Sequence, residues 1–172
     1  MFKPIIQWTT ILSITLFSSA SMCSKDDDGP GKDPGFTSLI GKWELLTTAS
    51  EVTKLNGEEL FILEENKKDG NIITWEFFSN GTMKATQNGS TSVNSNWELK
   101  VERLAGQNID KGTLKVTGEM ADQVKAALKL DALVYGIETS EEAQTMLLTV
   151  DATPGVTGIF SKFIITYTYH KI

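Results

Sequence analysis

Asn71-Ile72-Ile73-Thr74-Trp75-Glu76-Phe77-Phe78-Ser79-Asn80-Gly81-Thr82-Met83-Lys84-Ala85-Thr86-Gln87 decides the fold class. Ile73, Trp75 and Phe77 fall on one face of an extended chain, and Thr74, Glu76 and Phe78 on the other, because side chains alternate along a strand. After Ser79-Asn80-Gly81 the strand resumes from Thr82 to Gln87. Asn-Gly between two such runs predicts a hairpin with a type I' turn, in which both central residues need positive φ.

The same period recurs in both directions from this hairpin. Leu39 to Thr47 contains Ile40, Trp43, Leu45 and Leu46, and Leu60 to Leu63 is a further short strand. Asn94 to Arg103 sets Trp97, Leu99 and Val101 against Asn96, Glu98, Lys100 and Glu102, and after a Gly106-Gln107-Asn108 loop Gly112 to Thr117 sets Leu114 and Val116 against Lys115 and Thr117. Two late strands, Gln144 to Ala152 and Gly158 to Lys171, flank Pro154-Gly155. The last of them carries Phe163, Ile165, Tyr167 and Tyr169 on one face. About eight strands joined mostly by short turns describe an antiparallel meander. Its closure is an up-and-down β-barrel, with room inside for its own side chains or one small ligand.

One stretch breaks the period. Met120, Ala121, Val124, Ala127 and Leu128 form a helical apolar stripe, with Asp122, Lys125 and Lys129 outside it. Thr139-Ser140-Glu141-Glu142 matches a capping box and predicts a second, shorter helical turn. The insertion is either a lid over a ligand site or a cover for an open edge or end of the sheet. Covering is the favoured role, because a bare sheet edge invites aggregation.

The chain has 172 residues, 22 acidic and 16 basic side chains, and a net charge of -6. This length suits one domain with a substantial core. The acidic balance, with Arg103 the single arginine, argues against nucleic-acid binding, which needs clustered cations. One Cys and one His cannot build a Cys/His metal cluster or an internal disulfide. His170, on the final strand, has no evident partner to orient it for acid-base work. Glu64-Glu65 and Glu141-Glu142 point apart on a strand, so neither pair supplies the facing carboxylates of a glycosidase. Asn80-Gly81-Thr82 and Asn88-Gly89-Ser90 match the glycan acceptor pattern, but read as turn chemistry. No catalytic residue, metal or cofactor is therefore expected.

The N-terminus carries an address. Lys3, the apolar run from Ile5 to Phe17 and the small residues Ser18, Ser19, Ala20 and Ser21 read as an export signal over 1–22. The run is too short and too interrupted to span a bilayer. Ala20-Ser21-Met22-Cys23 resembles a lipobox, which implies diacylation of Cys23 on sulfur, with palmitate-like chains, and an anchored protein that begins there. Cleavage after Ser18-Ser19-Ala20, leaving Cys23 a free thiol, stays open. Ser24-Lys25-Asp26-Asp27-Asp28 resembles the export signal of Bacteroidota lipoproteins, which sends the protein to the outer face of the outer membrane. The Gly/Pro-rich run that completes 23–36 is a tether. The globular domain occupies 37–172.

Gly41-Lys42-Trp43 resembles the Gly-x-Trp signature of lipocalins. Together with Trp75-Glu76-Phe77-Phe78-Ser79-Asn80-Gly81-Thr82, it makes the stretch from Leu39 to Ile172 similar to the lipocalin-like lipoproteins of Bacteroidota. The resemblance implies a barrel with Trp43 packed across its closed end and covered by a cation, here Lys171. It also implies a cup for a small apolar molecule and no catalysis. Most of Trp43, Trp75, Trp97, Phe163 and Tyr167 must be core, since aromatic side chains dominate packing. Where a ligand is bound, Trp75, Phe77, Trp97, Leu99 and Tyr167 are the expected lining, with the Tyr167 hydroxyl orienting it. Two functions follow. One is a surface lipoprotein that binds a small hydrophobic or amphipathic molecule. The other is a filled barrel acting as an interaction, accessory or inhibitor module for an outer-membrane protein, with Phe78 and the helical stripe as its contacts.

Overall fold

The computed structural model describes residues 39–172 apart from Asp69, Ser90, 103–108 and 141–142. The leader, Cys23, the residues from Ser24 to Asp28 and the tether lie outside the described residues. So do the Gly106-Gln107-Asn108 loop and Glu141-Glu142.

Nine strands run in chain order among the described residues: β1 (Gly41–Lys54), β2 (Glu59–Glu65), β3 (Ile73–Phe77), β4 (Thr82–Gln87), β5 (Thr91–Glu102), β6 (Ile109–Gly118), β7 (Leu133–Ser140), β8 (Thr145–Asp151) and β9 (Phe160–Lys171). One α-helix, α1 (Glu119–Leu128), joins β6 to β7, and a 3-10 turn at Thr153–Val156 joins β8 to β9. Every pairing is antiparallel, and β1 pairs with β9 along its whole length from Trp43 to Lys54. That contact closes an eight-stranded ring of β1, β3, β4, β5, β6, β7, β8 and β9, the lipocalin-like barrel expected from the sequence.

The ninth strand extends the ring. β3 pairs with β1 from Gly41 to Glu44, whereas β2 pairs with β1 from Thr47 to Thr53, on the same edge. β2 and β3 are thus one strand interrupted by the excursion of residues 66–72. The break sits beside a bulge at Leu46, where the β1–β9 register skips a residue. Asn66 N–H donates to the Leu46 carbonyl at 3.0 Å, and Asn66 Nδ2 donates to Thr48 Oγ1 at 3.0 Å. β4 ends opposite Ile73, so β2 has no ladder on its other edge among the described residues. Gln87 Nε2 to Asn71 Oδ1 (2.8 Å) and Asn88 N–H to the Ile72 carbonyl (2.7 Å) pin the chain at that point. Beyond them, β2 and β4 form no ladder among the described residues.

The structure corrects two local expectations. The segment with the capping-box pattern is not helical: Leu133, Tyr135, Ile137 and Thr139 alternate inward on β7. Ser140 Oγ accepts from Ala143 N–H inside the turn to β8. The turn after Phe78 is not type I'. Gly81 has φ +82 but Asn80 is not left-handed, and Gly81 N–H donates to the Phe78 carbonyl, as in a type I turn followed by a glycine bulge. Two successive positive φ values occur instead at Asn88 and Gly89.

The apolar stripe of α1 is turned inward, with Met120, Ala121 and Val124 buried. Met120 N–H donates to Ser95 Oγ on β5, and the Leu128 carbonyl abuts Gly155 in the 3-10 turn, where a Cβ would collide with it. The helix therefore spans the barrel end from β5 and β6 to the β8–β9 connection. It covers an end, as favoured from sequence. We call this the upper end; Gly41, the Phe78–Thr82 turn and Lys171 mark the lower one.

Candidate functional site

The lower end is sealed by Trp43, whose Nε1–H donates to the Leu39 carbonyl at 2.8 Å. Lys171 Nζ lies 5.2 Å from the centroid of the Trp43 ring, the cation–π cover expected of that residue. Gly41 makes this possible: a Cβ there would stand 3.1 Å from Lys171 Cε, and its φ of +124 suits glycine. The Gly-x-Trp motif is thus a lysine stem lying over a missing side chain onto the indole.

The middle of the lumen is full. β3 and β7 face each other across the ring, and Trp75 from one meets Tyr135 from the other with ring centroids 5.9 Å apart. Trp75 also lies 5.2 Å from Tyr169 and 6.1 Å from Phe77. Phe77 stacks edge-on against Trp97 at 5.9 Å. Trp97 Nε1–H donates to the Thr82 carbonyl at 2.8 Å. Of the five residues expected to line a ligand, Trp75, Phe77, Trp97 and Tyr167 are buried together in the core. Leu99 is partly buried and packs on the same core from below β4, paired with Leu114. Tyr135, 6.2 Å from Tyr167, completes a chain of rings that the sequence reading missed, because no strand was assigned between the helical stripe and the capping-box pattern.

Three phenols thus sit in a low-dielectric interior. Burial pushes Tyr135, Tyr167 and Tyr169 well above the ordinary phenol range, and their mutual proximity pushes Tyr135 and Tyr169 further. At Tyr167 the second cause is different: the carboxylate of Glu64.

The wall that β1, β2 and β9 form at the upper end differs from the core. Directly opposed residues share a face in an antiparallel pair, so the register defines three inward levels. Thr48 faces both Glu64 and Tyr167; Ser50 faces Ile62 and Ile165; Val52 faces Leu60 and Phe163. Thr48, Ser50 and Asn66 are buried polar side chains at the deep level and beside it. Leu60, Ile62 and Glu64 are only half-buried, although they face inward. Val52, Leu60 and Ile62 are not part of the main core cluster, which stops at the tyrosines and Ile165. The upper wall therefore carries an apolar rim over a polar belt, beside the edge of β2 that has no ladder among the described residues. The alternation over Leu60 to Leu63 was visible in the sequence; the broken strand that makes it a rim was not.

The opposite face of β2 bears Phe61 and Leu63, exposed at 65% and 55%. Phe78 is exposed at the lower end, while the α1 stripe is buried and offers no outward contact. His170 is exposed on β9 beside Glu44. Among the described residues no helix is long and apolar enough to cross a membrane. Compared with protein-family models, with curated proteins and with solved structures, the chain matches none.

Proposed function

We propose that the chain is an anchored extracytoplasmic lipoprotein, akin to the lipocalin-like lipoproteins of Bacteroidota, that binds a small amphipathic molecule at the upper end of its barrel. The observation that carries this reading is the upper wall: half-buried Leu60 and Ile62, outside the packed core, face inward beside buried Val52 and above a polar belt, with Phe163 at the core's margin. Ligand sites are concave, mostly apolar and furnished with a few convergent polar groups. With the middle of the lumen occupied by Trp75 and Tyr135, such a molecule sits above the tyrosines and does not reach Trp97 or Leu99.

Lipidation of Cys23 fits this geometry. The described chain begins at the lower end, and Ile172 N–H returns there to the Lys42 carbonyl. A tether leaving that end turns the upper end away from the membrane, toward ligands arriving from the medium. The reading is tested in cells: with Cys23→Ser the protein should leave the membrane fraction, and protease shaving of intact cells should remove the native domain. Protection of the domain from protease would refute the surface address. Titration of the purified chain with alkyl amphiphiles of different head groups tests binding; no response to any would refute it.

A second reading is favoured by β2, whose outward Phe61 and Leu63 flank an unpaired strand edge. Such an edge accepts an extended segment of a partner protein by strand addition. Crosslinking from position 61 in outer membranes tests it; recovery of no reproducible adduct would refute it.

A further inference from the structure

We propose that the polar belt of the upper wall selects a ligand carrying a protonated amine on an apolar body, with Glu64 as its counter-charge. This inference rests on the upper-end site proposed above and names its ligand class. The register puts Glu64 directly opposite Thr48, with Tyr167 opposite Thr48 on the other side, so all three project inward at one level.

Glu64 is half-buried and makes no ion pair among the described residues. Its neighbours on β2 differ. Glu65 outside the barrel pairs with Lys68 at 3.5 Å, and across β1 the outward Glu51 pairs with Lys162 at 3.1 Å. Lys68 and Lys162 are thus committed on the outer surface. The inward carboxylate is left facing the belt alone.

Tyr167 supplies a second, independent indication. It is 9% exposed, and no hydrogen bond of its hydroxyl is formed among the described residues. An unpaired hydroxyl at this level is available to hydrogen-bond a polar ligand head. Burial first, and then the Glu64 carboxylate, push the Tyr167 phenol up. An ammonium group in this belt would neutralise Glu64, and Thr48 and Tyr167 supply oxygen acceptors beside it. The face of the Tyr167 ring adds cation–π attraction. One and two levels higher, Ile62 with Ile165 and Leu60 with Val52 and Phe163 offer an apolar wall for an alkyl or cyclic body. A carboxylate head in the same belt would face Glu64 and be repelled.

The test compares octylamine, octanol and octanoate, which share one chain, on the chain from residue 23 onward with Cys23→Ser. All strands and core residues described here lie beyond that point. Calorimetry or tryptophan fluorescence should show octylamine binding at least tenfold tighter than octanol, with octanoate weakest. Glu64→Gln, nearly isosteric, should bring octylamine to the octanol level, and Ile62→Asn should weaken all three. Equal binding of the three probes, or preference for octanoate, would overturn the amine assignment while leaving the upper-end site standing. No binding of any probe would overturn both.

Discussion

Raising the pH is a perturbation whose effect can be worked out from burial alone. The chain has 3 tyrosines, and all of them, Tyr135, Tyr167 and Tyr169, are buried at 1%, 9% and 1% exposure. Each phenol is held neutral in the fold, with its pKa raised above the unfolded value of about 10. Below that unfolded value the two states bind the same phenolic protons, and the full stability is present. As pH rises beyond it, the unfolded chain loses up to three protons that the folded chain keeps, so stability falls. The slope is about 1.4 kcal/mol per pH unit for each phenol, or about 4 kcal/mol per unit for the three. A domain stable by about 5–10 kcal/mol should then unfold between about pH 11 and pH 12.5. The assay is tyrosinate absorbance followed against pH together with near-ultraviolet circular dichroism. Ionisation should appear in one cooperative step, coincident with loss of tertiary signal. In Tyr135→Phe the slope should drop to about 3 kcal/mol per unit. Graded ionisation of any tyrosine near pH 10 with the fold intact would refute the filled lumen.

Other substitutions probe other parts. Trp75→Ala removes the ring that bridges the lumen to Tyr135 and should cost about 3–5 kcal/mol, measured by denaturant unfolding. Gly41→Ala puts a side chain at a φ of +124 and against Lys171, and should cost about 1–3 kcal/mol; an unchanged midpoint would refute the role given to the Gly-x-Trp motif. Gly155→Ala must push the Leu128 carbonyl aside, so amide exchange in α1 should accelerate while the β1–β9 ladder stays protected; uniform acceleration would contradict local detachment of the helix.

The eight-stranded barrel was legible because its signal is local: alternation in Ile73, Trp75, Phe77 and in Phe163, Ile165, Tyr167, Tyr169 names one face wherever the strands go. The helix was legible for the same reason, as was the pairing of Gly41, Trp43 and Lys171 through resemblance. β7 was not, because the Thr139-Ser140-Glu141-Glu142 pattern at its end matches a helix start, whereas Ser140 Oγ there accepts a turn hydrogen bond. The candidate site shifted for a non-local reason. Alternation told which residues face inward, but not that Trp75 and Tyr135 would meet across the ring and fill it. Nor could spacing reveal that β2 and β3 share one edge of β1, which lifts Leu60, Ile62 and Glu64 into a rim.

Chemical-shift mapping of the amide spectrum during octylamine addition tests the upper-end site most directly. Perturbations should concentrate on Val52, Leu60, Ile62, Glu64, Phe163 and Tyr167, and leave Gly41, Trp43 and Trp97 unmoved. Shifts centred on Trp97 and Leu99, or a spectrum that does not change at all, would contradict it.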